Sequence, residues 1–377
     1  MSKSKMPIVG WCGLGAKYST VEQYRRMAKA GFTHNLSDWS NDAEMASALE
    51  AAHAANMKIF VRTPELNSNP AAMAAKFKDH PANGGYFVRD EPGANEFDKL
   101  AETVRAIQAV DSVHPCYINL FPTYAEAATQ LVAASYEDYV AQFIAKIPLP
   151  FVSFDHYSIT TRGFHKDYFE NLEIVARLSK AAGRPFWAFA LCTAHWSYPP
   201  PGLCHLRFQQ FCNLAYGAQA LQYFTYITLE SQGPPEWTAP APLGPDGKPS
   251  YVYGLVKQVN REVHNLEWVF LGSEVQSVGH TGKILPQGTR PYEPAAPIKS
   301  LELTGQGAVV SLLSKGRKRF LAVVNRNYER IADLKITWDA GTEMSRIGKD
   351  GRASKIDGDT LAVQCECGDM NILAWKV

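Results

Sequence analysis

One pattern occurs eight times in the first two-thirds of the chain: a short apolar run, followed by a stretch with helical spacing of apolar residues. The apolar runs have the length and composition of buried strands. They predict strands over residues 7–13, 33–36, 58–62, 85–88, 116–120, 151–154, 186–191 and 221–226. The intervening stretches predict helices over residues 20–30, 42–56, 70–80, 95–110, 136–147, 168–182, 206–217 and 251–266. Eight β/α units in about 265 residues indicate a closed (β/α)8 TIM barrel.

The alternative arrangement is a doubly wound open sheet, in which strands and helices also alternate. Such a sheet is typically marked by a G-x-G-x-x-G turn after its first strand. No such turn follows the first apolar run of this sequence. The barrel is therefore the preferred prediction.

The last third of the chain has a different pattern, with short β-like runs separated by Gly, Asn and Asp turns. The runs cover residues 298–313, 318–325, 331–338, 344–348, 360–365 and 370–376 and predict a small antiparallel β-sandwich. We therefore expect a barrel in residues 1–268 and a β-sandwich domain in residues 269–377. The Pro-rich stretch 287–297 is expected to be a linker or an extended loop. A Pro- and Gly-rich loop, 233–249, follows the eighth strand and is expected to cover the site.

Composition excludes several classes of partner. Lys and Arg total 38 and Asp and Glu total 37, giving a net charge of +1. This balance argues against a nucleic-acid partner and gives no support for an anionic membrane partner. No run of about 18 apolar residues occurs, so no membrane-spanning helix is predicted.

The start of the chain and its cysteines bear on the compartment. Residues 1–6 are polar and lack an apolar segment, so the chain as written is expected in the cytoplasm. It would be periplasmic or secreted if a signal peptide had been removed. The seven cysteines are an odd number, and Cys365-Glu-Cys367 is too short a spacing for a CxxC motif. We therefore expect reduced thiols.

Functional groups of a (β/α)8 barrel project from the carboxyl ends of its strands. Here those ends are rich in carboxylates and aromatic residues and carry no phosphate-binding glycine loop. Aromatic rings pack on the C–H face of a sugar, and acidic or amide groups hydrogen-bond its hydroxyls, so a carbohydrate partner is predicted. The expected sugar-binding residues are Trp11, Arg62, Asp90, Asn119, His156, Tyr157, His195, Trp196 and Tyr226.

The most specific motif is the run from Tyr86 to Pro92, Tyr-Phe-Val-Arg-Asp-Glu-Pro, at the end of the fourth predicted strand. It resembles the strand-4 signature Asn-Glu-Pro of the large clan of (β/α)8 retaining glycosidases. The resemblance implies that Glu91 is the general acid/base. Asp90 stands where the clan has an Asn that contacts the sugar 2-hydroxyl, which makes Asp90 a candidate sugar contact.

The chain also resembles a group of poorly characterised bacterial glycosidase-like proteins. These carry Arg-Asp-Glu-Pro, a Phe-Asp-His-Tyr strand 6 and a Tyr-Phe-Thr-Tyr strand 8, and the matching segments here are residues 89–92, 154–157 and 223–226. The layout of a barrel followed by a β-sandwich covers nearly the whole chain. This resemblance implies a glycoside hydrolase that cleaves an O-glycosidic bond with two carboxyls and needs no cofactor.

One departure from the clan concerns the second carboxylate. The clan has its nucleophile, a Glu, at the end of strand 7, whereas residues 186–195 of this chain contain no acid. The candidates are Asp155 after strand 6, Glu230 after strand 8 and Asp90 itself. Asp155 is preferred, because it follows its strand directly, whereas Glu230 lies four residues past Tyr226. Carboxyls about 5 Å apart would predict retention of configuration, and about 6.5–9.5 Å would predict inversion.

Each functional interpretation has a structural alternative. Glu91 could form an ion pair with Arg89 or Arg62, and Asp155 could orient His156. The histidines form neither H-x-H nor H-E-x-x-H, so no metal site is expected, and no G-x-S-x-G elbow indicates a serine hydrolase. Two other functions stay open. A catalytically silent carbohydrate-binding protein is suggested by the missing acid, and a metallohydrolase or isomerase would need convergent His, Asp and Glu ligands.

Overall fold

The computed structural model describes residues 5–229 and 240–377. Six parallel strands come first: β1 (Ile8–Trp11), β2 (His34–Asn35), β3 (Lys58–Val61), β4 (Asn83–Asp90), β5 (Cys116–Leu120) and β6 (Val152–Phe154). A short hairpin follows, made of β7 (Ile159–Thr160) and β8 (Gly163–Phe164). Two further parallel strands follow, β9 (Phe186–Leu191) and β10 (Ala220–Phe224), which bring the parallel strands to eight. Because β10 pairs with β1, the eight parallel strands form a closed barrel, which confirms the predicted fold class.

Helices surround the barrel. They are α1 (Val21–Lys29), α2 (Asp42–His53), α3 (Glu65–Ser68), α4 (Pro70–Phe77), α5 (Phe97–Gln108), α6 (Tyr136–Lys146), α7 (Tyr168–Ala181), α8 (Leu203–Ala215) and α9 (Tyr251–Phe270). Five of them begin after a capping side chain that accepts a backbone N–H of the first turn: Thr20, Asn41, Asn69, Ser135 and Ser250. Each such cap stabilises its helix by about 1 kcal/mol. None of the described helices is both long enough and apolar enough to cross a membrane.

The interior of the barrel is filled mainly by aromatic side chains. Its buried cluster contains Val9, Trp11, Leu36, Phe60, Phe87, Tyr117, Phe151, Tyr157, Phe189 and Leu191. Near the amino ends of the strands, the rings of Phe151 and Trp187 stack with their centroids 3.8 Å apart. These rings pack the barrel interior at its amino end, whereas functional groups of such barrels lie at the carboxyl ends of the strands.

The strand β4 extends two residues beyond its predicted end at Val88 and includes Arg89 and Asp90. Its pairing with β5 shifts register between Phe87 and Arg89. A bulge of this kind bends a strand and re-aims the side chains that follow it. As a result, Asp90 lies opposite Asn119 of β5 at the carboxyl end of the barrel.

The C-terminal region consists of antiparallel sheets, as predicted. Its strands are β11 (Glu274–His280), β12 (Ile298–Leu303), β13 (Ala308–Lys315), β14 (Lys318–Asn325), β15 (Ala332–Trp338), β16 (Ser345–Ile347), β17 (Ala353–Lys355), β18 (Thr360–Cys365) and β19 (Met370–Lys376). A sheet in the order β11-β13-β14-β19-β16-β17 and a sheet in the order β12-β15-β18 share a separate hydrophobic core. The sequence did not predict β11 and β17. The predicted run 298–313 divides at a turn where Gly305 and Gly307 have φ angles of 78° and 89°, which glycine adopts without strain.

A disulfide connects the barrel to the C-terminal sheets. It joins Cys204 near the start of α8 to Cys367 in the turn before β19, with Cα atoms 5.3 Å apart, an ordinary separation for a disulfide. The expectation of reduced thiols was wrong for these two residues. The short spacing around Cys367 gave no sign of a partner that lies 163 residues away. The other five cysteines are free.

A buried ion pair connects the last two helices of the barrel. Arg207 of α8 donates hydrogen bonds of 3.0 and 2.6 Å to the two carboxylate oxygens of Glu262 of α9. Both side chains are more than nine-tenths buried. The geometry is that of a bidentate Arg–carboxylate pair, which is the strong form of this interaction.

Candidate functional site

Three carboxyl groups converge at the carboxyl ends of β4 and β6. Asp90 and Glu91 come from the end of β4, Asp155 follows β6, and Asn119 of β5 lies between them. The Asn119 Nδ2 donates a 2.7 Å hydrogen bond to Asp155 Oδ1 and a 3.3 Å one to Asp90 Oδ1. Because both oxygens contact the same nitrogen, they are at most about 6 Å apart. Residues from three neighbouring strands thus form one acidic cluster.

The backbone at Glu91 is in an unusual conformation. Its φ angle is 44°, in the left-handed region, where a residue other than glycine is strained by about 1–2 kcal/mol. The Glu91 N–H donates a 2.9 Å hydrogen bond to the carbonyl of Asn119, which holds the turn. Strained backbone of this kind is concentrated at functional sites. The conformation supports a role for Glu91 beyond packing.

The amide of Asn119 is oriented by a chain of buried hydrogen bonds beneath it. Ser153 Oγ donates to Asn119 Oδ1 at 2.9 Å, and Gln222 Nε2 donates to Ser153 Oγ at 2.9 Å. The Tyr117 hydroxyl donates to Gln222 Oε1 at 2.6 Å and accepts from Trp11 Nε1 at 3.0 Å. Because its oxygen is occupied from below, Asn119 presents its NH2 group to the two aspartates. The network explains how side chains from four strands, β1, β5, β6 and β10, position one amide.

The three carboxyls differ in exposure and in pKa. Glu91 is partly exposed, and burial together with the charge of Asp90 raises its pKa to about 7. Asp90 is open to solvent on one side, but the surrounding protein desolvates it and raises its pKa to about 6. Asp155 is buried, and its pKa is raised well above the ordinary range by burial, then by the charges of Glu91 and Asp90. Near neutral pH the cluster can therefore hold a protonated and an ionised carboxyl together, as acid–base chemistry requires.

Two of the predicted aromatic residues lie below the cluster. Trp11 packs against Phe87 and Phe189 with centroid distances of 5.1 and 5.6 Å. Tyr157 packs on Phe224 at 5.7 Å and on Phe189 at 6.4 Å. Both predicted residues are more than nine-tenths buried, so they form the floor of the site and present little ring surface to a ligand.

Arg62 is held by the end of β4 and by the loop after β2. Its guanidinium lies 5.1 Å over the ring of Phe87 and donates a 3.1 Å hydrogen bond to the carbonyl of Val88. It also forms a 3.3 Å ion pair with Asp38. These contacts brace the strand that carries Asp90, so the structure places Arg62 beside the cluster in a supporting position.

The loop after β9 contributes His195 and Trp196. His195 is buried against Tyr198 and Phe224, and burial lowers its pKa to about 4. Trp196 is 68% exposed and has a φ angle of 45°. Of the predicted sugar contacts, Trp196 therefore offers the largest open ring surface.

Tyr124 was not among the expected site residues. Its hydroxyl is hydrogen-bonded to Tyr198, and its pKa is raised by burial, by the charge of Asp155 and by Glu91 among others. These interactions place it at the edge of the acidic cluster. Tyr124 lies four residues beyond β5, in a loop whose path the strand pattern does not predict.

Two predicted residues of the described part of the chain, Tyr226 and His156, are not brought to the open cleft. Tyr226 is fully buried and packs against Phe32 at 5.1 Å, because it lies on the outer side of the strand wall under α1. The prediction of a stacking role for Tyr226 does not fit this placement, since no ring surface is open. His156 is buried beside Asp155, and burial lowers its pKa. Glu230 lies outside the described residues.

Within the described part of the chain, one group of side chains has the proximity of metal ligands. It consists of His156, His165 and Asp167, whose ligand atoms lie within 4.8 Å of one another. His156 Nε2 lies 3.3 Å from Asp167 Oδ1. No metal site was expected from the sequence, because its histidines form neither H-x-H nor H-E-x-x-H. This group combines a strand end, a hairpin and a helix start, which only the fold brings together.

No protein-family model matches the chain, and no curated protein matches it in sequence. Its fold is similar to solved structures of glycoside hydrolases. An α-amylase from Anoxybacillus is 9% identical with a TM-score of 0.58, over 99% of this chain and 98% of that one. A family 39 glycoside hydrolase from Bacteroides cellulosilyticus WH2 is 11% identical with a TM-score of 0.56, over 99% of this chain and 81% of that one.

A β-galactosidase from the psychrophilic Marinomonas ef1 is 12% identical with a TM-score of 0.52, over 70% of this chain. The chain spans 60% of the length of that enzyme. Identities this low show a shared fold. The class defined here is a (β/α)8 barrel followed by antiparallel sheets, with an acidic cluster at the carboxyl ends of the barrel strands.

Proposed function

We propose that this protein is a glycoside hydrolase that cleaves an O-glycosidic bond with a pair of carboxyl groups. The observation that carries the proposal is that Asp90 and Asp155 share the amide of Asn119, with Glu91 close enough for its charge to act on Asp155. Hydrolysis of a glycoside needs one carboxyl that donates a proton and a second that acts as nucleophile or base. The fold shared with enzymes that act on carbohydrates supports this choice of substrate class.

Glu91 is proposed as the general acid/base. Its pKa is raised to about 7. A group that alternately donates and accepts a proton works best when its pKa is near the working pH, which for most proteins is close to neutral. Its partial exposure allows contact with a substrate oxygen in the cleft. The neighbouring charge of Asp90 supplies part of the shift, as like charges favour the protonated form of a carboxyl.

The second carboxyl is proposed to be Asp155, with Asp90 as the alternative. Asp155 accepts a hydrogen bond from Asn119 and follows β6 directly. Catalytic groups of (β/α)8 barrels come from the carboxyl ends of strands, which is the position that Asp155 occupies. Asp90 has the lower pKa of the two and the greater exposure. Rescue by azide separates them: a small anion restores turnover when it replaces a missing nucleophile. We expect rescue of Asp155→Ala, and rescue of Asp90→Ala instead would assign the nucleophile to Asp90.

The substrate is proposed to lie against Trp196 above the acidic cluster. The exposed ring of Trp196 can pack on the C–H face of a sugar, and Tyr124 and Tyr198 lie within reach of its hydroxyls at the cluster's edge. The buried rings of Trp11 and Tyr157 support the floor beneath. The predicted loop 233–249 belongs to this proposal as a cover, and its residues 233–239 lie outside the described part of the chain.

The proposal is tested with a panel of aryl α- and β-glycosides, using the wild type, Glu91→Gln and a control. Activity on one glycoside that falls by about 100-fold or more in Glu91→Gln supports the general-acid role. Glu96→Gln is the matched control, because Glu96 lies five residues away and pairs with Arg89 on the surface. Equal activity in Glu91→Gln and the wild type would refute the assignment.

A second candidate function is a carbohydrate-binding protein that has lost catalysis. The specific observation in its favour is β9, which ends at Leu191 and is followed by Cys192, Thr193 and Ala194 without an acid. This candidate predicts binding of a glycan, seen by calorimetry, with no turnover of any aryl glycoside. Turnover abolished in Glu91→Gln would remove it.

The disulfide bears on the compartment. Disulfides persist in oxidising surroundings and are rare in the reducing cytoplasm. We propose that the protein works outside the cytoplasm, where the Cys204–Cys367 bond is stable. Mass spectrometry of protein taken directly from its source, with free thiols blocked during lysis, should show this pair oxidised. A reduced pair would place the protein in the cytoplasm.

The division into a barrel of residues 1–268 and a sheet domain of residues 269–377 is likewise proposed. The helix α9 ends at Phe270 and β11 begins at Glu274, so few residues connect the two regions. Limited proteolysis after reduction of the disulfide should yield two stable fragments of these sizes. Cleavage into many small fragments would contradict the division.

A further inference from the structure

The side chains of His156, His165 and Asp167 meet beside Tyr124, which packs on both imidazoles. His156 follows Asp155 at the end of β6, His165 follows the β7–β8 hairpin, and Asp167 directly precedes α7. One ligand atom of each lies within 4.8 Å of the other two. We propose that these three residues bind one divalent transition-metal ion, with zinc as the best match.

The distances at Asp167 fit a shared ion. Its Oδ1 lies 3.3 Å from His156 Nε2 and 3.6 Å from His165 Nδ1. Two ligands held about 2.0–2.1 Å from a tetrahedral ion are about 3.3–3.4 Å from each other. The pairs that include Asp167 are therefore close to the spacing of neighbouring zinc ligands. A small rotation of His165, whose side chain is 31% exposed, can bring its ring to the same point.

The donor set also matches zinc. Two imidazoles and one carboxylate, with a fourth position left for water, are a common ligand set for zinc. Nitrogen-rich sites of this kind disfavour Mg²⁺ and Ca²⁺, which prefer oxygen ligands. Asp167 is oriented by a second partner, because Thr123 Oγ1 donates a 2.6 Å hydrogen bond to its Oδ2. Such outer partners are typical of metal-binding carboxylates.

A simple buried His–Asp hydrogen bond is the alternative explanation of this group. One observation favours an ion: a second imidazole is directed at the same carboxylate oxygen as the first.

The ion would brace the loop that carries Asp155. It would tie His156, adjacent to Asp155, to the start of α7 and to the hairpin. Tyr124 packs on both imidazoles, with ring centroids 4.9 and 5.0 Å away, and its hydroxyl reaches Tyr198 beside the acidic cluster. The proposed role is positioning of Asp155, to which His156 is adjacent in the chain. The binding claim stands independently of the proposed hydrolase activity.

The test measures binding of Zn²⁺ to the full chain after treatment with a chelator and buffer exchange. Competition with a chromophoric chelator should give one ion per chain. His165→Gln and Asp167→Asn should each weaken binding by about 100-fold or more, as expected for loss of a ligand. His53→Gln is the matched control for surface histidines, because His53 is exposed and outside the group. It should leave affinity and stoichiometry unchanged.

A second measurement does not depend on the variants folding. Co²⁺ added to the stripped wild type should produce the visible absorption of a tetrahedral N,O site, without a thiolate charge-transfer band from the cysteines. No stoichiometric Zn²⁺ binding, or binding unchanged in His165→Gln and Asp167→Asn, would overturn the proposal. So would a thiolate band, which would assign the ion to cysteine.

Discussion

Replacing Asp155 by Asn is expected to stabilise the protein at pH 8 and to leave its stability almost unchanged at pH 4. Asp155 is buried next to Glu91 and Asp90, so its negative charge is opposed by both desolvation and like charges. Asn has nearly the same shape and no charge, and its Oδ1 can still accept the hydrogen bond from Asn119. In the unfolded chain, residue 155 is exposed to water whether it is Asp or Asn. The substitution should therefore change the free energy of the folded state, where it removes an unfavourable buried charge.

The dependence on pH follows from the direction of the shift. A carboxyl with a raised pKa binds its proton more tightly in the folded protein than in the unfolded chain, so stability falls as pH rises. The destabilisation is absent below a pH of about 4 and complete above the folded-state pKa. Glu91 shows the scale, since its pKa rises from 4.5 to about 7, and one pKa unit corresponds to about 1.4 kcal/mol before solvent screening. For Asp155→Asn we expect a gain of about 1–3 kcal/mol at pH 8.

Differential scanning calorimetry at the two pH values provides the assay. A gain of 1 kcal/mol raises the melting temperature of a large domain by about 2 °C. Asp111→Asn is the matched control: Asp111 is buried too, but hydrogen bonds from Tyr86 and His114 outweigh burial and lower its pKa. That substitution should destabilise the protein at pH 8. If Asp155→Asn lowers the melting temperature in the same way, the claim of a like-charge cluster is refuted.

Three further predictions concern the framework and the proposed chemistry. Glu262→Ala leaves the buried Arg207 charge without its partner and should lower the free energy of unfolding by about 3–5 kcal/mol in urea denaturation; a loss below about 1 kcal/mol would contradict this. Cys367→Ser removes the disulfide and should lower the free energy of unfolding by about 2–5 kcal/mol. Thiol titration of the unreduced, denatured wild type should find five free thiols among the seven cysteines, and seven free thiols would exclude the disulfide. Asp90→Asn removes a charge that raises the pKa of Glu91. The alkaline limb of the pH profile of kcat/KM should therefore move to lower pH by about 0.5–1 unit. If the limb does not move, it reports the titration of a group other than Glu91.

The fold was predictable because its signal is local and repeated. The strands Cys116–Leu120 and Phe186–Leu191 were predicted with the bounds that the structure shows. Each is an apolar run preceded by a proline, Pro115 or Pro185, which marks where the strand begins. Short strands such as Ala353–Lys355 were missed, since three exposed residues, Ala-Ser-Lys, carry no alternation to detect.

The site was only partly predictable. Strand ends placed Asp90, Glu91 and Asp155 at one end of the barrel, because parallel strands of a barrel end on the same face. The sequence could not show that Asn119 connects two of these acids, since that depends on which side chains share a layer inside the barrel. Tyr226 is buried on the outer side of the barrel wall. Which side it occupies depends on the backbone conformation after β10, and composition does not reveal that conformation.

The group of His156, His165 and Asp167 was missed for a related reason. The three residues come from a strand end, a hairpin and a helix start, and their spacing matches no regular element. A disulfide partner 163 residues away is equally invisible to a local pattern. Contacts that the tertiary fold alone brings together therefore account for most of what the sequence did not predict.

The most direct test of the central claim, that Glu91 donates a proton to the departing oxygen, varies the leaving group. The measurement is kcat/KM of the wild type and Glu91→Gln on aryl glycosides of one sugar whose phenols span a wide range of acidity. A general acid matters most when the leaving group is a weak acid, so the variant should lose about 100- to 10,000-fold on those substrates. On dinitrophenyl glycosides, whose leaving group needs no proton, it should keep nearly full activity. An equal loss across the series, or no loss, would contradict the role assigned to Glu91.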